Sequence, residues 1–61
     1  MKKSVLCLLV DGFEEIETVT PIDLLRRAGA EVVVAALGSD RAVTGRSQIT
    51  LQADSLLAGV N

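Results

Sequence analysis

Ser4-Val5-Leu6-Cys7-Leu8-Leu9-Val10 is a short, almost unbroken apolar run, stopped by Asp11-Gly12. It lacks the alternation of a half-exposed strand and reads as a strand buried on both faces, as in parallel sheets. A second run of the same character, Glu31-Val32-Val33-Val34-Ala35-Ala36-Leu37, follows after enough chain for one crossover helix. Two such strands with a helix between them form a βαβ unit, its strands parallel and its connection right-handed. The fold class is therefore α/β.

The intervening segment carries its own punctuation. Glu14, Glu15 and Glu17 stand near its start and Arg26-Arg27 near its end, complementing a helix macrodipole at both termini. Gly29 sits where a helix leaves through a left-handed residue. Asp23 is spaced to pair with Arg26 and Arg27 along one helix face. Pro21 leaves two readings: a short helix opened by Thr20-Pro21-Ile22-Asp23, or one helix from near Glu14 bent at Pro21, whose ring displaces the Glu17 carbonyl. The acidic start favours the longer helix, since otherwise it has no dipole to complement. Beyond the second strand, Arg41–Thr44 and Gln48–Gln52 alternate around Gly45-Arg46-Ser47, which predicts a half-exposed hairpin. Asp54-Ser55-Leu56-Leu57 reads as a cap followed by a first helical turn.

Composition narrows the function classes. Of 61 residues, 49% are hydrophobic, 23% are charged and one is aromatic; the formal charge is −2. That balance lacks the basic footprint of a nucleic-acid binder and is too apolar for a disordered chain. The single cysteine excludes an internal disulfide and a cysteine-based metal site. The absence of histidine removes imidazole as ligand or base. No metal or cofactor is expected from these residues. No apolar run reaches the roughly 18 residues of a membrane span. Met1-Lys2-Lys3 and the run after it resemble a signal peptide, but the run stops at Asp11 without a small-residue cleavage site, so a plain cytoplasmic start is expected. A chain of about 60 residues buries only about 60% of its unfolded surface. With a mean hydropathy of +0.45, this one reads as a sequence that packs against more protein, supplied by a second chain or by the rest of the same gene product.

Chemistry has one obvious address. Asp11, Glu14, Glu15 and Glu17 place half of the eight acidic residues within seven positions. They follow the carboxyl end of the first strand, where open α/β sheets bind ligands. Gly12 stands alone among acids, so a phosphate-binding glycine loop is disfavoured. The plainer explanation is a solvated helix start. Glu17 is the most suggestive acid: it lies between Ile16 and Val19, so its carboxyl is expected to point inward, where burial raises a pKa and lets a neutral acid donate a hydrogen bond. Cys7, mid-strand between leucines, reads as core rather than nucleophile. Arg26 and Arg27 read as a helix end, with anion binding the sharper alternative, and Arg46 as a solvated hairpin tip.

The stretch from Val10 to Val32 resembles the N-terminal segment of the ThiJ/PfpI superfamily, in particular the branch holding the Parkinsonism-associated deglycase and its bacterial relatives. The resemblance rests on Gly12-Phe13-Glu14-Glu15-Ile16-Glu17-Thr18-Val19, on Pro21-Ile22-Asp23 and on Arg26-Arg27-Ala28-Gly29, and continues more loosely to Asp54. It implies that residues 1–61 are the N-terminal βαβ-plus-hairpin portion of a flavodoxin-like α/β sandwich that is longer than this chain and usually homodimeric. The remainder is expected in another chain or missing. The resemblance places the nucleophilic cysteine downstream, so Cys7 does not match it. It makes Glu17 the catalytic partner of that cysteine, Glu14 a substrate-pocket acid, and Arg27 a residue near the dimer interface that approaches the partner's pocket. The family's Cys-Ser-Arg hairpin motif is here Gly45-Arg46-Ser47, with the arginine one position early; a one-residue shift in a strand reverses the face, which puts an anion-binding Arg46 in doubt. The implied activity is glyoxalase- or deglycase-like chemistry on small carbonyl compounds, or stress protection. Two other classes fit the pattern of elements: a receiver-like regulatory domain holding Mg²⁺ through Asp11 and Glu14, and a non-catalytic, chaperone-like protein.

Overall fold

The computed structural model describes residues 3–60. β1 (Ser4–Leu9) turns at Asp11-Gly12 into α1 (Glu15–Arg27), which returns the chain to β2 (Glu31–Ala36). The two strands pair in parallel, Ser4 opposite Glu31 through Leu9 opposite Ala36. The βαβ unit is present, each strand closing one residue before its apolar run does. β3 (Ala42–Thr44) and β4 (Thr50–Gln52) form the antiparallel hairpin, Thr44 opposite Thr50. β5 (Ser55–Leu56) then adds in parallel to β2, and a 3-10 turn, Leu57–Gly59, follows. β2 is thus the centre of a β1-β2-β5 sheet.

The longer helix is the one formed. α1 runs unbroken through Pro21, although Pro21 has no N–H to offer the Glu17 carbonyl. Glu15 and Glu17 lie in its first turn, Arg26 and Arg27 in its last. It ends at Gly29 (φ +93°). The Gly29 N–H donates to the Arg26 carbonyl at 3.1 Å and that of Ala30 to the Leu25 carbonyl at 3.0 Å. Those two bonds make a Schellman motif, which needs a left-handed residue and so suits glycine.

Asp54 corrects the sequence reading. It caps no helix: its Oδ2 accepts the Val34 N–H and an Arg26 Nη2 hydrogen, each at 2.9 Å, while its own N–H donates to the Val34 carbonyl at 2.8 Å. With both backbone and side chain bound to β2, the chain is drawn alongside that strand, and Ser55-Leu56 become β5 instead of a helical turn. The pairing of Arg26 with Asp23 is corrected by the same contact, because Arg26 reaches Asp54 and the Val32 carbonyl; Asp23 is held by Arg27 alone, at 3.0 Å.

Leu9, Phe13, Val32, Val34, Ala36, Val43 and Ala53 form the core, with Val5, Cys7, Ile22 and Leu51 packed against it. Cys7 is therefore a core-side thiol, as its leucine neighbours suggested. The opposite face of β1 is open: Leu6 and Leu8 are about half exposed. Within these residues β1 is buried on one face, where its sequence asks for two. No helix among the described residues is long and apolar enough to cross a membrane.

Candidate functional site

The acidic segment lies where β1, α1 and the hairpin meet, and it is stitched to the hairpin bond by bond. Gly12, at φ +85°, donates its N–H to the Thr44 carbonyl at 2.8 Å, and the Arg46 N–H donates to the Phe13 carbonyl at 2.9 Å. Asp11 Oδ1 accepts the Thr44 N–H at 3.3 Å. Further along, Glu15 Oε2 accepts the Ser47 N–H at 2.8 Å and the Ile49 N–H at 3.3 Å.

Glu15 is the buried carboxylate of the site, 7% exposed. Burial pushes its pKa upward; the hydrogen bonds from the backbone N–H groups of Ser47 and Ile49 oppose that, and the balance holds it below the ordinary glutamate value. Its other oxygen, Oε1, is buried without a hydrogen-bond partner among the described residues. Gly45 makes room for this carboxylate. A Cβ built there meets the Glu15 carboxyl group, and it stands 2.8 Å from the Phe13 carbonyl oxygen. Sequence reading treated Glu15 as one acid among four and so missed it. The available signal was the bare Gly45 in a hairpin turn, a place left free of a side chain for another group to enter.

Glu17 is exposed on the first turn of α1 among the described residues; the acid that enters the interior of this segment is Glu15, two positions earlier. Glu14 is partly buried at the N-cap of α1 and lies 3.7 Å from the Arg46 guanidinium. Arg46 occupies the turn between β3 and β4 rather than a strand, so the face-reversal argument does not apply to it, and it is loosely paired rather than simply solvated. Arg27 pairs with Asp23 at the far end of α1, about 20 Å along the helix axis from Glu14. The chain therefore brings Glu14, Glu15, Glu17 and Arg46 to one end of α1 and leaves Arg27 at the other.

An open cleft of about 410 Å³ lies beside this cluster at the carboxyl ends of β1 and β2. Leu9, Val10, Asp11, Gly38, Ser39 and Asp40 are among the residues that line it; Glu14, Glu17 and Arg27 are not. No group of three or more His, Cys, Asp or Glu side chains among the described residues is arranged to hold a metal ion. What the cluster offers is one exposed acid, Glu17, one acid–guanidinium pair, Glu14 with Arg46, and one buried carboxylate tying the hairpin down.

The family model described as the DJ-1/PfpI family matches residues 3–61. Protein DJ-1 homolog B of Arabidopsis thaliana is 49% identical over 53 residues, which is 87% of this chain and 12% of that protein. Protein dj-1beta of Drosophila melanogaster is 42% identical over 60 residues, 98% of this chain and 32% of that one. Among solved structures, oxidized Toxoplasma gondii DJ-1 superposes with a TM-score of 0.91 at 44% identity, covering 93% of this chain and 31% of that chain. The chain thus spans at most about a third of the relatives it matches, and its helix and parallel strands are those of a flavodoxin-like α/β fold. On these grounds the chain belongs to the DJ-1/PfpI family.

Proposed function

We propose that residues 1–61 form the N-terminal third of a single DJ-1/PfpI-type domain and contribute acidic residues to a cysteine-dependent site completed by the rest of that protein. The observation that carries this reading is the family match together with the position of Glu17. It is exposed in the first turn of α1 just past the carboxyl end of β1, and it makes no ion pair or side-chain hydrogen bond with another described residue. That leaves its carboxyl available to a group outside these residues. In this reading Glu17, covered by the rest of the protein, donates a hydrogen bond to the sulfur of a nucleophilic cysteine downstream, favouring the thiolate and its sulfinate. Glu14 lines the substrate pocket. Arg27, remote from Glu14 along α1, contributes from the interface of a homodimer. The reaction class is glyoxalase- or deglycase-like chemistry on small carbonyl compounds in the cytoplasm, with a protective role against carbonyl and oxidative stress.

Glu17→Ala in the complete protein tests this. The pKa of the reactive thiol, read from the pH dependence of its alkylation, is expected to rise, and oxidation by hydrogen peroxide to a stable sulfinate is expected to slow, with the fold retained by circular dichroism. An unchanged thiol pKa and an unchanged sulfinate yield would remove Glu17 from the site.

A further inference from the structure

We propose that Glu15 is a positioning residue for the site just described. Its buried carboxylate fixes the β3–β4 turn against the start of α1, and so fixes the guanidinium of Arg46 beside Glu14. The inference rests on the proposed function only for its second readout.

Three observations converge on it. The near half of the turn is tied to the acidic segment by backbone bonds, Gly12 to Thr44 and Arg46 to Phe13, but the far half is held to that segment through Glu15 Oε2 on the Ser47 and Ile49 amides. The turn also contains Gln48 at φ +70°, a left-handed conformation that side chains other than glycine adopt at a cost, so it relaxes when its anchors are removed. Finally, the carboxylate is poorly suited to a purely stabilising role. It is 93% buried by its 7% exposure, with Oε1 unpartnered, and an apolar side chain of similar size fills such a space without desolvating a charge. What a carboxylate supplies that an apolar group cannot is an acceptor oxygen, Oε2, shared by the two turn amides. Arg46, one residue before Ser47, is thereby held within 3.7 Å of Glu14. In consequence the charge displayed at the helix start depends on a carboxylate buried behind it.

The test compares Glu15→Ala and Glu15→Gln in the complete protein. In Glu15→Ala, hydrogen exchange at the Ser47 and Ile49 amides is expected to accelerate about fivefold to tenfold, the loss of a net hydrogen bond each; Glu15→Gln keeps an acceptor and restores most of the protection. This readout needs no enzymatic activity. The second compares alkylation by anionic iodoacetate with that by neutral iodoacetamide. Their rate ratio is expected to fall about twofold in Arg46→Ala, the effect of one unit charge across several ångströms of water-like dielectric. It is expected to fall equally in Glu15→Ala, with no further change in the double variant and recovery in Glu15→Gln. Unchanged amide exchange in Glu15→Ala, or additive effects of the two substitutions on the ratio, would overturn the positioning role. A protein with altered exchange but no reactive thiol would instead overturn the cysteine-dependent reading while leaving the tie intact.

Discussion

Replacing Asp54 separates two contributions that share one carboxylate oxygen. Oδ2 accepts the Val34 N–H and the Arg26 guanidinium, both at 2.9 Å. The ion pair is about half exposed on each side, 48% for the Arg26 side chain and 49% for that of Asp54. A pair so open to solvent contributes only about 0–1 kcal/mol and less in high salt. The amide is different, because Val34 is 8% exposed in the middle of β2. A buried N–H left without an acceptor costs about 1–3 kcal/mol. Asp54→Ala in the complete protein is therefore expected to destabilise it by about 2–3 kcal/mol, whereas Asp54→Asn, which keeps an acceptor and removes only the charge, costs less than about 1 kcal/mol. Urea denaturation with a common m-value is the assay, run at low salt and at 1 M salt. The Ala–Asn difference should persist in high salt, since it comes from a hydrogen bond and not from screened charge. Equal destabilisation by the two substitutions, or a difference that vanishes in high salt, would refute the assignment of Asp54 to the Val34 amide.

Three further outcomes follow from the same geometry. Because the hydrogen bonds on Glu15 hold its folded pKa below the unfolded value, that carboxylate adds stability above the unfolded glutamate pKa, and the contribution is lost as the pH falls through the folded one. The urea midpoint should thus fall on acidification below the ordinary glutamate range, and Glu15→Gln should flatten that part of the profile; superimposable profiles would contradict it. Gln48→Gly relieves the φ of +70° and should raise stability by up to about 1 kcal/mol, offset in part by the greater backbone entropy of unfolded glycine; a lowered urea midpoint would argue against strain there. Expressed alone, the 61-residue chain should show no cooperative thermal transition. It exposes 4407 Å², where a compact monomer of its mass exposes about 3,800 Å², and the excess includes Leu6, Leu8, Ile16, Leu24 and Leu37, each 48% exposed or more. A sharp calorimetric peak from the isolated chain would show that the open face needs no cover.

The local elements were legible because local physics sets them. Two apolar runs, an acid-to-base gradient along the helix and Gly29 at its exit name β1, α1 and β2 without tertiary information. The hairpin was legible from alternation, though the turn widened because Gln48 takes a left-handed conformation. Asp54 was misread since its type and position suit a helix cap equally well, and only the proximity of β2 decides that its carboxylate serves Val34 instead. Glu17 was expected to turn inward on a one-dimensional argument about its neighbours Ile16 and Val19. Within these residues Ile16 is 75% exposed and Val19 41%, so that side of α1 is uncovered here, and the acid that enters this segment's own interior is the one facing the bare Gly45. The Arg46–Glu14 pair was hidden for a related reason: a shift of one residue reverses a side chain in a strand, but Arg46 sits in a turn, where that rule has no hold.

Whether these residues act as one third of a cysteine-dependent DJ-1/PfpI domain is decided by intact-mass spectrometry of the protein isolated from its natural source under denaturing conditions. A species well above 6.4 kDa that contains residues 1–61, or a 6.4 kDa chain co-purifying with a heavier one, is expected, and in either case a further cysteine that iodoacetamide labels. A 6.4 kDa chain by itself, labelled nowhere but at Cys7, would contradict that role.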